Sequence, residues 1–534
     1  MSAIHQVRAP KEDGAVVAEP PLAEVGRLLA DNRRILAADG PPLLGLPWSE
    51  LRQLARKTLL TAARFYTTLT GIVPVRASDT VLMAGHQPEL FHPGVWVKNF
   101  ALNGLAREFG ANPVNLVVDN DAVKGTSLHF PVVRPPLPSV RDFQAYRAAE
   151  PFDVPASGEP YEERAVKDEG LFASLPQRVR MGGDFDSLLP GFWHDAVRAA
   201  QFSNLLGERF AIARRRLESR WGCSNLEAPV CVICQTTPYE RFACDLLTNL
   251  PRLHTAYNGS VHDYRARYGL RSTSHPVPDL ATEGEWLEAP FWAWRAGQAR
   301  RNRLMARLTP AAVDLRAGEE SWPSLPREPD AMLRAFHDLG RQGLKVRSRA
   351  LTNTLYARLF LCDLFIHGIG GGKYDEVTDA IIRRYYGAEP PAYLVLSATL
   401  LLPLPRHPAG DCRALHREAR DLFYNPQRHL TGEARSRPEV AALAARKGAL
   451  IREEPADRHG RRERFRQIRE VTERLRGAAG QELEAARRAA DGCDAAARAD
   501  AILTRRDYPF VLYPEATLRP FCERFLNCPG TPPV

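Results

Sequence analysis

Between Asp79 and Asp121 the hydrophobic pattern changes period twice, and this constrains the fold more than any other feature of the chain. Asp79-Thr-Val-Leu-Met-Ala-Gly85-His86-Gln87 is a short apolar run ending in glycine, the mark of a strand feeding a loop. Gly94 to Gly110 (GVWVKNFALNGLAREFG) has helical spacing, and NPVNLVVDND, ending at Asp121, returns to a strand. Strand, loop, helix and strand within about 45 residues is the size of a βαβ unit. Right-handed crossovers and a parallel sheet follow, because a right-twisted strand feeding a helix packs back only in that hand.

The alternation continues. PLAEVGRLLADNRRIL and ELRQLARKTLLTAARFYTTLT make residues 1–75 an N-terminal helical segment. Residues 131–190, rich in Pro, Gly and charge, read as loops and excursions. FWHDAVRAAQFSNLLGERFAIARRRLESRWG reads as one long amphipathic helix, LEAPVCVICQT as a strand, and YERFACDLLTNLPRLHTAYNGSVHDYRARYG as helix again. EAPFWAWRAG, NTLYARLFLCDLFIHGIGGG and PAYLVLSATLLL extend the pattern, so residues 76–405 are expected to form a Rossmann-like α/β core. After Pro405 the composition shifts to Ala, Arg and Glu. Val440, Leu443, Leu450 and Ile451 share one helical face, and Phe465, Ile468, Thr472, Leu475 and Ala479 share another. Residues 406–505 therefore read as a helical hairpin with a coiled-coil seam, its second helix about 40 residues or roughly 60 Å long. A seam of that length is expected to need a second copy, giving a homodimer. Residues 506–534 return to the core.

Composition excludes several classes. With 44% hydrophobic and 25% charged residues, the chain is neither wholly disordered, nor collagen, nor a small disulfide scaffold. No apolar run reaches the roughly 20 residues of a membrane helix, and the start has no apolar core of a secretory signal, so a soluble cytoplasmic protein without a membrane partner is expected. The net charge of +9 is spread over interleaved acids and bases, which argues against a specific nucleic-acid partner. Only eight of the 72 basic residues are lysines, so each lysine draws notice. The nine cysteines are expected to be reduced. Strand alternation would point Cys231 and Cys234 to opposite faces, so a core role is favoured over zinc and no metal site is assigned.

Three stretches carry chemistry. The loop from Gly85 to Lys98 holds His86, Gln87, His92 and Gly94 between a strand and a helix, where α/β enzymes bind ligands. Gly94 would let backbone approach a ligand, the helix N-terminus would favour an anion, and Lys98, at a position expected to be exposed, would hold phosphate. His92-Pro-Gly94-Val95 is similar to the HxGH signature of nucleotidyl-transferring enzymes, with valine for the second histidine. The loop from His367 through Gly368 and Gly370 to Lys373 and Tyr374 reads either as an anion-cradling nest or as a tight turn; it is not a Walker A loop. Asp119-Asn120-Asp121 would hold Mg²⁺, orient an amine, or cap a turn. The basic cluster His459–Arg466 reads as a solvated helix start.

In order along the chain, these stretches resemble the BshC family of bacillithiol biosynthesis proteins, the cysteine-adding enzymes. Gly85-His86-Gln87, Pro93-Gly94 and Lys98 match a Gly-Gln-Gln loop, a Gly-Pro turn and a lysine-bearing helix. Asp119-Asn120-Asp121 matches an acidic run, and Ser348 matches a serine helix. Gly368, Gly370 and Tyr374 match a glycine loop and its tyrosine, and Tyr513-Pro514 a closing segment. His86, Asn120 and Gly371 depart from the family pattern. The resemblance implies a core like that of HxGH nucleotidyltransferases, dimerisation through the coiled coil, and ATP-dependent ligation of cysteine to a small amine or amino sugar. By that likeness His86, His92, Lys98 and Asp121 would be catalytic. Gly85, Gln87, Gly94, Asp119, Asn120, Ser348, Gly368, Gly370 and Tyr374 would bind small-molecule substrates and nucleotide, with ATP and Mg²⁺ as cofactors. A nucleotidyltransferase with another acceptor and a non-catalytic scaffold remain open.

Overall fold

The computed structural model describes residues 3–69, 73, 78–134, 144–181, 186–404, 410–430 and 432–527, so the expected boundary at Pro405 lies outside the described residues. Val16–Glu19 forms a first strand (β1), and Val25–Ala37 and Trp48–Thr68 form helices α1 and α2. Segment 1–75 is more than a helical preface. β1 joins the core sheet, Asn32 of α1 donates to the Asp363 and Ala392 carbonyls, and α2 packs Leu51, Leu59 and Ala63 into the largest apolar cluster. A four-residue, half-buried strand carries too little periodicity to be read locally.

Val81–His86 (β2), Pro93–Glu108 (α3) and Asn112–Val117 (β3) form the βαβ unit, with β2 and β3 parallel. β3 is buried at every position, as a strand covered on both faces must be. Within the stretch expected to be irregular, Ser127–Arg134 (β4) and Gln144–Pro151 (β5) pair as an antiparallel hairpin. The expected long helix is two, Leu189–Arg198 (α4) and Leu206–Arg220 (α5). It breaks because backbone groups of Asn204 and Leu206 pair with Val166 and Arg164 instead of continuing the helix. Leu226–Pro229 (β6) stops at its proline, and Val230–Ile233 is a helical turn. Cys231 and Cys234 therefore do not alternate on a strand as expected; both thiols are free.

After Thr237–Thr248 (α6) and Leu250–Tyr268 (α7), a feature foreign to an all-parallel core appears. Thr282–Glu283 (β7), Trp286–Arg295 (β8), Asn302–Leu308 (β9), Ala312–Ala317 (β10), Glu320–Pro326 (β11) and Leu344–Ser348 (β12) form an antiparallel sheet in the order β11-β10-β9-β8-β12, with β7 on β8. Pro329–Arg341 (α8) connects β11 to β12. The chain then re-enters the main sheet through Ala350–Tyr356 (α9), Leu364–His367 (β13), Ile369–Ile381 (α10) and Leu394–Ala398 (β14).

The main sheet has the order β1-β14-β13-β2-β3-β6. Its five strands β14, β13, β2, β3 and β6 are parallel, and β1 closes one edge antiparallel. The fold is thus mixed α/β. The chain runs outward from β2 through β3 to β6, then returns to β13 and runs outward the other way. The order reverses between β2 and β13, and open α/β sheets bind ligands in the crevice at the carboxyl ends of such a pair.

The arm differs from a two-helix hairpin. It contains Cys412–Tyr424 (α11), Pro438–Arg452 (α12), Arg458–Ala478 (α13) and Gly480–Leu503 (α14). The expected 40-residue helix breaks at Ala479, whose backbone leaves the helical range. Leu422, Val440, Leu450, Val471, Leu475 and Leu483 bury one another, so the chain covers most of the seam itself. Ile451 and Phe465, counted in that seam, are instead 54% and 62% exposed. A disulfide joins Cys412 of α11 to Cys493 of α14, which corrects the expectation of nine reduced thiols. The C-terminal segment brings Phe510 and Tyr513 back into the core beside α3, followed by Glu515–Glu523 (α15). Among the described residues, no helix is long and apolar enough to cross a membrane.

Candidate functional site

A cavity of about 480 Å³ opens at the carboxyl ends of β2 and β13. Its first wall is the loop after β2. Pro93 starts α3, where its missing N–H costs nothing, and His92 precedes it in extended conformation. The first turn of α3 lies against the end of β14, and Gly94 is what permits this: a Cβ there would stand 2.0 Å from the Ala398 carbonyl oxygen. Gly94 thus serves backbone packing rather than the expected approach to a ligand, and it is not part of the cavity wall. Ser397 Oγ donates to the Gly94 carbonyl at 3.1 Å, and Arg506 Nη2 donates to Ser397 Oγ and to the Ala398 carbonyl, each at 2.9 Å.

Lys98 is buried, not exposed as expected. Its Nζ donates to the Gly85 carbonyl at 3.1 Å, and burial pushes its pKa down to about 8. His86 packs edge-on against Phe91, and burial, then Lys98, push its pKa down to about 3. Burial and Arg506 push His92 down to about 4. Both imidazoles are therefore neutral at neutral pH. His92 Nδ1 and Arg506 Nε are buried polar atoms without a protein partner.

The second wall is the loop after β13. Gly368 precedes α10 in extended conformation, and Gly370 and Gly371 lie in the helix's first turn. The glycines therefore start a helix rather than form a nest. The first turns of α3 and α10 both line the cavity, with Tyr374 one turn farther along α10. Peptide dipoles place partial positive charge at both turns.

A second recess, of about 230 Å³, adjoins the first; Gln87, Val118, Ala350 and Asn353 line both. It holds Asp121, Asn120 and Ser348. Gln87 Nε2 donates to Asp121 Oδ2 at 2.9 Å, and Arg301 Nη1 lies 3.1 Å from Asp121 Oδ1. The guanidinium carbons of Arg301 and Arg349 lie 4.5 and 4.6 Å from the centre of the Trp292 ring. Asn120 Nδ2 donates to the Ser348 carbonyl at 2.7 Å, and Ser348 Oγ to Asn353 Oδ1 at 3.1 Å.

Asp119 stands apart from the other grouped residues. It lines a third recess, with Glu162, Cys231, Lys345 and Arg347, and its Oδ1 accepts from the Cys231 N–H at 2.9 Å. Burial, then Glu162, raise its pKa to about 7. Asp119 and Asp121 therefore do not face one ion. Among the described residues no group of three or more His, Cys, Asp or Glu side chains is placed to hold a metal ion.

The structure thus brings His86, His92, Lys98, Gly85, Gln87, Gly368, Gly370 and Tyr374 to one cavity, and Asp121, Asn120 and Ser348 to its neighbour. Sequence reasoning missed Arg301, Arg349, Trp292, His367 and Arg506 as site residues. His367 opened a loop already singled out, whereas Arg506 meets Ser397 across 109 positions and leaves no local signal. No protein-family model matches the chain, and no curated protein matches it significantly.

Proposed function

We propose that the protein is a BshC-like ligase, joining an amino acid, cysteine by resemblance, to a small amine or amino sugar at the expense of ATP, in low-molecular-weight thiol biosynthesis. The observation that carries this reading is a pair of joined recesses at the strand-order reversal, one holding Lys98 and Arg506 and one in which the Asp121 carboxylate lies between Gln87 and the Arg301 guanidinium. Such an order is that of doubly wound nucleotide-binding sheets, which supports a Rossmann-like core of the HxGH nucleotidyltransferase kind.

The larger cavity fits a nucleotide. Its size is that of ordinary small-molecule sites. Two helix N-termini, Lys98, and the unpartnered His92 Nδ1 and Arg506 Nε supply positive potential and free hydrogen-bonding capacity for phosphate. ATP supplies the activation without which an amide does not form in water. The neighbouring recess suits an amino acid, with Asp121 for its ammonium and Arg301 and Arg349 for its carboxylate. No step is assigned to a protein-held Mg²⁺. The exposed Ile451 and Phe465 on the arm are the surface a second copy would cover in a homodimer, and the ATP requirement suits a cytoplasmic setting.

Host extract, ATP and labelled cysteine, followed by mass spectrometry with and without the protein, test the reading. A protein-dependent amide is expected. Nucleotide transfer to another acceptor, without an amide, would favour the nucleotidyltransferase alternative. Failure to bind any nucleotide would favour the scaffold.

A further inference from the structure

His367 and Asp375 form a buried pair that the reading above leaves without a role. His367 ends β13 and Asp375 lies on α10, with His367 Nε2 2.9 Å from Asp375 Oδ2. The same carboxylate accepts from Arg358 Nη1 at 2.6 Å and from Thr354 Oγ1 at 2.7 Å. Burial opposes its ionisation, but Arg358 and His367 outweigh burial and hold the carboxyl well below the usual range. An ionised carboxylate only accepts, so the imidazole proton resides on Nε2 and the lone pair on Nδ1.

Nδ1 is directed at Gly371, where a Cβ would stand 2.9 Å from it. Both His367 and Gly371 line the nucleotide-sized cavity, as does Thr354. The missing side chain at Gly371 is what leaves that nitrogen uncovered. Burial lowers the His367 pKa from its ordinary value; Asp375 opposes this, and Arg358 and Lys98 add to it. Tyr393 packs edge-on against the ring, 5.0 Å between centres, and fixes its plane. Serine hydrolases orient a neutral imidazole in a related way, one nitrogen donating to a buried carboxylate so that the other can accept the proton of the attacking group.

We propose that His367 is the general base of the amide-forming step, accepting the amine's proton at Nδ1, and that Asp375 is the positioning residue that keeps this nitrogen bare. This rests on the amide-forming reading above. The amine nitrogen attacks the acyl carbon of the carboxyl group activated by ATP. The C–N bond forms and the acyl–oxygen bond breaks. The phosphorus-bearing leaving group departs with the electron pair, and the proton passes from nitrogen to Nδ1 and then to water.

Selective ¹⁵N-histidine labelling and two-bond ¹⁵N–¹H correlation read the tautomer directly, with His367 assigned by the signal lost in His367→Gln. A neutral ring protonated at Nε2 is expected at pH 7; a proton on Nδ1, or on both nitrogens, overturns the proposal. His367→Gln is expected to lower kcat about 10²- to 10⁴-fold with ATP affinity unchanged. Gly371→Ala, whose Cβ would crowd Nδ1, is expected to lower kcat as well. Asp375→Asn is expected to alter the tautomer and lower kcat with KM retained. Product formed at the wild-type rate by His367→Gln or Gly371→Ala overturns the base alone. No ATP-dependent product from the wild-type protein overturns the amide-forming reading, and the base's stated role with it.

Discussion

Asp119 and Asp121, two residues apart just beyond β3, serve different recesses. Asp119 caps the Cys231 N–H beside Glu162, whereas Asp121 lies between Gln87 and Arg301. One carboxylate belongs to a turn and the other to the proposed substrate site.

Asp119→Asn should stabilise the protein at pH 8 and change little at pH 4. The folded-state pKa of about 7 lies above the unfolded value near 3.8. Between these values the folded chain holds a proton the unfolded chain has released, so stability is lost as pH rises through the window. Asparagine keeps an acceptor for the Cys231 N–H and removes the titration. Thermal melts from pH 4 to 8 check this; parallel wild-type and variant curves would refute it.

Lys98→Met should weaken ATP binding by about 1–3 kcal/mol, the worth of a charged hydrogen bond, while keeping most of the buried packing. In the wild type, nucleotide affinity should fall as pH rises through about 8, where the buried ammonium loses its proton. Stability should move the other way for this group. Between about 8 and 10.5 the unfolded chain holds the proton the folded lysine has released, so its contribution rises with pH. Calorimetric titrations and melts across pH 7–10 separate the two effects.

Alkylation of denatured, unreduced protein should leave Cys412 and Cys493 unmodified while Cys223, Cys231, Cys234, Cys244, Cys362 and Cys522 react. Replacing Cys412 with Ser should cost about 2–4 kcal/mol, because the bridge closes a long loop. Peptide mapping and denaturant unfolding measure the two outcomes. Full labelling of Cys412 before reduction would remove the bridge.

Leu475→Ala should destabilise the arm by about 2–5 kcal/mol, since Leu475 is wholly buried in the arm's own small core. Phe465→Asp, at an exposed site, should leave unfolding within about 0.5 kcal/mol of the wild type. If the arm pairs two copies, Phe465→Asp should give a monomer by light scattering; a dimer that survives it would place the interface elsewhere.

Much was legible in the sequence alone, because its signals are local. The period change from Val81 to Val117 determined a βαβ unit, whereas the helix that begins at Ile369 lies within a stretch expected to be loop. That placed His86, His92, Lys98 and the Gly368 loop near one sheet edge. Tertiary structure decided the rest. Lys98 is buried because Gly94 lets α3 press against Ala398, a contact between segments some 300 residues apart that no periodicity records. Asp119 and Asp121 part because the turn after β6 claims one and Arg301, from the antiparallel sheet, claims the other. Arg506 and the Cys412–Cys493 bridge depend likewise on which distant segments meet. Hydrophobic period specifies which face of an element is buried; it does not specify what the chain brings to meet that face.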